Sequence, residues 1–226
     1  MEYERCIIIT NFLHGKIRDL IDIYETDYII CADAGYRLAV AEGIQPSVVV
    51  GDFDSSSEFR QKDIPEDIPT VVWPHHKDYT DTGLCLDYAM DKGFRSILIV
   101  GGFGGREDHT IANIQNMFYF AREGAQVMMI DEQNIAFPLI EDEVTMPDRP
   151  GWYLSVFAHT DTAKGVTIRG AEYELEDGEL DNFFPLGVCN WCIGNELTIG
   201  VREGALLVML SRDLKSDAVA PTDPDN

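Results

Sequence analysis

Over its first 130 residues the chain alternates short, β-branched apolar runs with longer amphipathic stretches. Apolar runs of this length, bounded by polar turn residues, read as strands buried on both faces, and the stretches between them can cross over as helices between parallel strands. The pattern predicts strands at 6–10, 28–32, 47–50, 70–73, 96–100 and 126–130, with helices at 17–24, 36–42, 56–62, 82–92 and 110–123. After about Asp131 the helical period stops, and short alternating segments at 152–158, 165–169, 196–201 and 205–210 read as antiparallel strands between Gly, Pro and Asp turns. We therefore expect an α/β N-terminal domain with a mainly parallel sheet over residues 1–131 and an all-β sandwich domain over 132–214. Residues 215–226 place Pro221 and Pro224 among polar residues and read as a disordered tail.

Seventeen Lys and Arg against forty Asp and Glu give a formal charge of -23, a field that repels nucleic-acid phosphates and anionic membrane surfaces. An anionic nucleotide substrate would need a local basic cluster or a metal ion. No apolar run approaches the ~18 residues of a membrane span, and the chain opens without a charged-then-apolar leader. The cysteines Cys6, Cys31, Cys85, Cys189 and Cys192 are odd in number and three lie in apolar runs, which suits a reducing compartment. We expect a cytoplasmic protein with neither a nucleic-acid nor a membrane partner.

In open α/β sheets ligands bind beyond the carboxyl ends of the strands, so the residues following each predicted strand carry the chemistry. Asp52 and Asp54 flank Phe53 on a turn opened by Gly51, an arrangement that can aim two carboxylates at one hard cation, Mg²⁺ above all, or can simply form the turn. Lys77-Asp78-Tyr79-Thr80-Asp81 places a cation and two carboxylates at a helix entrance, where Thr80 or Asp81 can also act as the cap. Gly101-Gly102-Phe103-Gly104-Gly105-Arg106-Glu107-Asp108-His109 follows a strand and opens a helix. Its glycines allow close backbone approach to phosphates at a positive helix end, and Arg106 adds a planar donor fork. The run lacks the Gly-Lys-Ser/Thr of a P-loop and the spacing of the dinucleotide fingerprint. His109 and Asn113 share a helix face, with Asn116 one turn on. Cys189-Asn190-Trp191-Cys192 has the Cys-x-x-Cys spacing, but no second pair accompanies it and it lies in a β-rich region, which argues against a zinc site or redox pair.

Taken in order, Asp33-Ala34-Gly35, Gly43-Ile44-Gln45-Pro46, Gly51-Asp52-Phe53-Asp54-Ser55, Lys77-Asp78-Tyr79-Thr80-Asp81 and the segment from Gly101 to His109 resemble the thiamine pyrophosphokinases over nearly the whole chain. The resemblance implies an α/β catalytic domain that binds ATP and Mg²⁺, a β-sandwich domain that binds thiamine, and a homodimer with active sites at the interface. It implies transfer of the β,γ-diphosphate of ATP to the thiamine hydroxyl, leaving AMP. Carried over by position, Asp52, Asp54 and Asp81 would hold Mg²⁺, and Asp78, Asp81 and Asp108 would be catalytic. Lys77, Thr80, Gly104, Gly105, Arg106, His109 and Asn113 would bind ATP, and Asp33, Cys189 and Asn190 would bind thiamine. Asp78 and Asp108 are both candidates to accept the hydroxyl proton. The family usually has Ser-Asn-Glu where Cys189-Asn190-Trp191 is set here, and more often Gly at the position of Ala34. Rival readings are the same transfer to another alcohol, such as a pterin, and a non-catalytic sensor of nucleotide or thiamine. Retention of Asp52, Asp54, Asp81 and Arg106 together argues against the sensor.

Overall fold

The computed structural model describes residues 3–51, 53, 61–72 and 80–213. The chain divides into two compact units, Met1–Glu132 and Gln133–Asn226.

The first unit is built on β1 (Arg5–Ile9), β2 (Asp27–Ala32), β3 (Val48–Gly51), β4 (Thr70–Val72), β5 (Ser96–Val100) and β6 (Gln126–Ile130). They pair in the order β6-β5-β1-β2-β3-β4, every pair parallel. Successive strands step outward from β1 to β4, and the chain then returns to β5 on the other side of β1, so the strand order reverses between β1 and β5. The registers Ile9↔Cys31, Ile9↔Val100, Ala32↔Val50 and Val100↔Ile130 bring the carboxyl ends level along one rim. Ile7, Ile8, Ile9, Ile30, Val49, Val50 and Ile99 are fully buried, each side chain worth about 1.5–3 kcal/mol of removal from water.

Among the described residues four helices accompany the sheet: α1 (Ile17–Leu20), α2 (Gly35–Ala41), α3 (Asp81–Asp91) and α4 (Glu107–Arg122). The Thr80 hydroxyl caps α3 by accepting from the Gly83 N–H at 3.2 Å, and Leu84, Cys85, Leu86 and Ala89 form its buried face. Met117, Phe118 and Phe120 bury α4. The predicted helix at 17–24 shrinks to one turn. Its start is fixed by the Glu42 carboxylate, which accepts from the N–H groups of Ile17 and Arg18. Beyond Leu20, Arg5 donates to the Asp22 carbonyl and the Tyr24 N–H donates to Asp27. These tertiary bonds take backbone groups that a longer helix would use, in a stretch where Ile21 and Ile23 favour helix weakly. Of the predicted helix at 56–62, residues 56–60 lie outside the described residues and Gln61–Asp63 forms a single 3₁₀ turn.

The second unit contains β7 (Asn134–Ile140), β8 (Glu143–Pro147), β9 (Tyr153–Ala158), β10 (Thr162–Arg169), β11 (Leu175–Asp181), β12 (Gly187–Asn190), β13 (Glu196–Gly200) and β14 (Ala205–Ser211). They form two antiparallel layers, β12-β9-β14-β7 and β11-β10-β13-β8, packed as a sandwich. Alternate residues such as Leu154 and Val156 of β9, Val166 and Ile168 of β10, and Leu206, Val208 and Leu210 of β14 are buried, as a half-buried strand requires. The expected fold class, an α/β domain with a mainly parallel sheet followed by a β-sandwich, is the one observed. The expected tail at 215–226 lies outside the described residues. Among the described residues no helix is long and apolar enough to cross a membrane.

Candidate active site

Where strand order reverses, the loops leaving adjacent strands turn in opposite directions and open a crevice. Here the loops leaving β1 and β5 separate, and the cleft is lined by Thr10, Asn11 and Phe12 from the first and Gly102 and Gly104 from the second. Asp33 after β2, Thr80 and Asp81 at the start of α3, and His109 and Asn113 of α4 complete it. The sequence expectations for Asp33, Thr80, Asp81, Gly104, His109 and Asn113 therefore meet in one place. Asp52, Asp54, Lys77 and Asp78 lie outside the described residues.

Asp33 is 3% exposed and sits at φ 43°, in the left-handed region. Its N–H donates to the Val50 carbonyl at 2.9 Å. Its neighbour Gly35 passes so close to β1 that a Cβ there would stand 2.2 Å from the Ile9 carbonyl oxygen, which accounts for the glycine in Asp33-Ala34-Gly35. Such a backbone costs an ordinary residue about 1–2 kcal/mol, and it points a carboxylate-bearing residue at the rim. Asp81 occupies the first turn of α3, where the helix favours a negative charge. The carboxylates of Asp33 and Asp81 make the cleft acidic, while the Thr10 hydroxyl donates to the Val100 carbonyl. This donor set suits a hard divalent cation carrying phosphate, and it does not suit a bare polyphosphate.

Thr80 and Asn113 hold the scaffold as well as facing the cleft. The Thr80 hydroxyl accepts from Gly83 N–H and, at 3.1 Å, from Asn116 Nδ2. Asn113, buried, donates from Nδ2 to the Gly102 carbonyl at 2.9 Å, and the Thr110 hydroxyl accepts from the Gly104 N–H at 3.1 Å. The helix thus pins the loop that precedes it.

Arg106 and Asp108 form a two-pronged pair, Nε to Oδ1 at 3.1 Å and Nη2 to Oδ2 at 2.6 Å. Both side chains are exposed, so water screens the pair and it adds little stability. The Arg106 guanidinium holds the Asp108 carboxyl below the usual carboxylate range, which makes Asp108 a weak proton acceptor near neutral pH.

In the second unit Asn190 is 5% exposed and serves the fold. Its Oδ1 accepts from the N–H groups of Tyr173 and Trp191, both at 3.0 Å, and its Nδ2 donates to the Tyr173 carbonyl at 2.7 Å. Most of its hydrogen-bonding capacity is therefore spent joining β12 to the loop before β11. Cys189 is exposed on a left-handed backbone, φ 59°, and its N–H donates to the Ser155 hydroxyl at 3.3 Å. Both Cys189 and Cys192 are free thiols, and burial pushes the Cys192 thiol up, away from the reactive thiolate.

Two further features of the structure lie outside the residues singled out in the sequence. Setting Cys189-Asn190-Trp191 against the family's Ser-Asn-Glu keeps one residue of three, whereas Gly194-Asn195-Glu196 keeps two. All three residues of the latter are exposed, and a side chain on Gly194 would meet open space. The other is Phe12, which no motif singles out.

Comparison with known proteins follows this division. The family model described as thiamin pyrophosphokinase, catalytic domain, matches residues 22–129, and that described as thiamin pyrophosphokinase, vitamin B1 binding domain, matches residues 140–206. The thiamine pyrophosphokinase of Bacillus subtilis (strain 168) is 30% identical over 187 residues, 81% of this chain and 87% of that protein. Thiamin pyrophosphokinase 1 of Caenorhabditis elegans is 28% identical over 96 residues, 40% of this chain and 38% of that protein. The crystal structure of the Bacillus subtilis thiamine pyrophosphokinase aligns with a TM-score of 0.80 at 26% identity, covering 93% of this chain and all of that one (100%). Thiamin pyrophosphokinase from Candida albicans shares the fold, with a TM-score of 0.77 at 14% identity over 93% of this chain and 90% of that one.

Proposed function

The chain belongs to the thiamine pyrophosphokinase family, and from that premise we propose how its own residues carry the transfer of diphosphate from ATP to thiamine. The observation that supports the reading best is the cleft at the β1/β5 reversal, where the glycine run and the carboxylates of Asp33 and Asp81 come together. The glycine run and Arg106 receive the phosphates of ATP, with Lys77, Thr80, His109 and Asn113 around them.

The thiamine hydroxyl attacks the β-phosphorus, the bond from that phosphorus to the oxygen bridging it to the α-phosphorus breaks, and AMP leaves with the electron pair. Such transfers depend on positioning and charge stabilisation more than on covalent chemistry by the protein. Mg²⁺ is the divalent ion we propose; Asp81 would hold it together with Asp52 and Asp54, and it would neutralise oxygens of the transferring group. Arg106 contributes donors to the same oxygens once it leaves Asp108. Asp108 orients Arg106 before the nucleotide binds, and Asp78 and Asp108 are the two candidates to accept the hydroxyl proton.

For thiamine we propose Asp33 on the rim and the exposed Gly194-Asn195-Glu196 segment, with Cys189 nearby in sequence and Asn190 supporting the fold. We further propose a homodimer in which residues 1–131 of one chain and the thiamine-binding segment of the other complete each site. Exposed Phe183, Phe184 and Leu186 give the second unit an apolar surface consistent with that assembly. The free thiols fit a cytoplasmic location.

Incubation with ATP, Mg²⁺ and thiamine should release AMP and thiamine diphosphate in equal amounts; ADP as the sole nucleotide product would refute the transfer. For the shared site, Asp54→Asn and Glu196→Ala chains are each expected to be impaired. Unfolded together and reassembled, about half the dimers would be mixed and carry one undamaged site each, restoring about a quarter of wild-type activity. No recovery despite confirmed subunit exchange would rule out the shared site.

A further inference from the structure

Phe12 follows β1 on the rim, and its ring lies against the glycine run. A methyl group on Gly104 would come within 2.9 Å of Phe12 Cε1, and one on Gly105 within 2.9 Å of Cε2 and 3.0 Å of Cδ2. The two glycines bear on different sides of one ring, so a swing that relieves either contact tightens the other. His14 packs edge to face on the same ring, with centroids 4.9 Å apart and planes at 78°. Close packing forbids the loop from moving inward, and the left-handed backbone at Gly104 and Gly105, φ 74° and 69°, lets it lie this close. Asn113 and Thr110 hold the run from the helix side. The ring holds it from below.

We propose that Phe12 is a positioning residue for the pyrophosphoryl donor: its ring is the floor that fixes the backbone of residues 102–105 in the arrangement that receives the polyphosphate. The inference rests on the reading that this run takes the phosphates of ATP. A loop already fixed loses no further freedom on binding, and displacements of about 1 Å are enough to cost a hundredfold in rate.

The test compares Phe12→Leu, Phe12→Ala and Phe12→Tyr with Arg106→Ala in steady-state kinetics, with inhibition by inorganic tripolyphosphate as a probe that has no base. Phe12→Leu keeps apolar volume and should fold with a melting temperature within a few degrees of wild type, so it carries the test if the alanine variant does not fold. The expected result is a roughly tenfold rise in KM for ATP, a parallel weakening of tripolyphosphate inhibition, an unchanged KM for thiamine, and recovery in Phe12→Tyr. A normal KM for ATP in Phe12→Leu, beside a raised one in Arg106→Ala, overturns the floor and leaves the phosphate reading standing. Normal values in both would sink the phosphate reading itself. If ATP weakens while tripolyphosphate does not, the ring meets the adenine; if thiamine alone weakens, it meets thiamine. Either result overturns the proposal, as does a Phe12→Tyr enzyme as impaired as Phe12→Leu.

Discussion

Replacing Gly101 by alanine tests whether the rim is set by main-chain contact. Gly101 lies at φ 83°, and a methyl there would stand 2.4 Å from the Phe12 carbonyl oxygen and 2.5 Å from Thr10 Oγ1. The carbonyl is main chain in the loop leaving β1, so it moves only if that backbone shifts. Gly124, after α4, has nearly the same backbone, φ 89°, but no atom within 4 Å of the added methyl. Both alanines bear the left-handed cost of about 1–2 kcal/mol, offset by about 0.4–1 kcal/mol from a stiffer unfolded chain. Gly124→Ala should therefore lose about 1 kcal/mol. Gly101→Ala adds an overpacking term of about 1–3 kcal/mol, which at about 2–4 °C per kcal/mol separates the two melting temperatures by roughly 2–12 °C. Calorimetry of both variants at one scan rate measures the gap directly. Equal shifts would show that the contact at the β1 end relaxes freely, and the close approach would then not be what requires the glycine.

Asp27 offers a test by pH. Its side chain is 2% exposed, and its carboxylate accepts from Arg5 Nε at 2.7 Å, Arg5 Nη2 at 3.0 Å and Tyr24 N–H at 2.8 Å. Burial alone pushes its pKa up, but the Arg5 guanidinium and the Tyr24 N–H outweigh it, so the net value is below the usual one. A carboxyl depressed in the folded state stabilises above its unfolded pKa of about 3.9 and loses that contribution as pH falls through the folded value. Asp27→Asn should cost about 3 kcal/mol at pH 6 and should show a smaller drop in melting temperature between pH 5 and pH 3 than wild type; parallel pH profiles would remove Asp27 from this role. Asp81→Asn should cut turnover about a hundredfold with a melting temperature near wild type, and normal turnover at limiting Mg²⁺ would take Asp81 out of the proposed metal set. Gly194→Ser completes the family's Ser-Asn-Glu in open space and should keep or lower the KM for thiamine, whereas Cys189→Ser should leave it unchanged. The opposite outcome returns the thiamine segment to Cys189.

The parallel sheet was legible because its strands are continuous apolar runs. Predicted 96–100 and 126–130 coincide with β5 and β6, β1 and β2 begin one residue earlier than predicted where Arg5 and Asp27 pair across the ladder, and β3 runs one residue later, from Val48 to Gly51. In the second unit β11 was invisible, since Leu175–Asp181 is mostly acidic and buries Leu180 alone among its side chains. Its pairing is imposed by β10 across a register shift. β7 was hidden by Pro138, which sits opposite Leu207 of β14 in a strand whose pairing overrides local propensity. At the site, the residues after strand ends could be named because topology alone brings them together. Two things could not be read there. That Asn190 is consumed by Tyr173 and Trp191 depends on a loop 17 residues earlier in the chain closing over β12. That Phe12 underlies Gly104 and Gly105 depends on β1 and β5 being neighbours, which no local pattern encodes.

The adjacency of β1 and β5 also bears on how the chain is born. Ile9 pairs with Val100, so one edge of β1 waits for a partner synthesised about 90 residues later, roughly 5–20 s at ordinary rates of translation. Through that interval Cys6, Ile7, Ile8 and Ile9, all fully buried in the finished protein, present an apolar strand with an unfilled edge, the kind of surface that recruits other nascent chains. The nucleotide cannot shelter it, because the loop that would grip the phosphates is translated only after β5. Docking of β2 fills only the opposite edge of β1, so the yield of active protein should depend on how quickly ribosomes traverse residues 10–100.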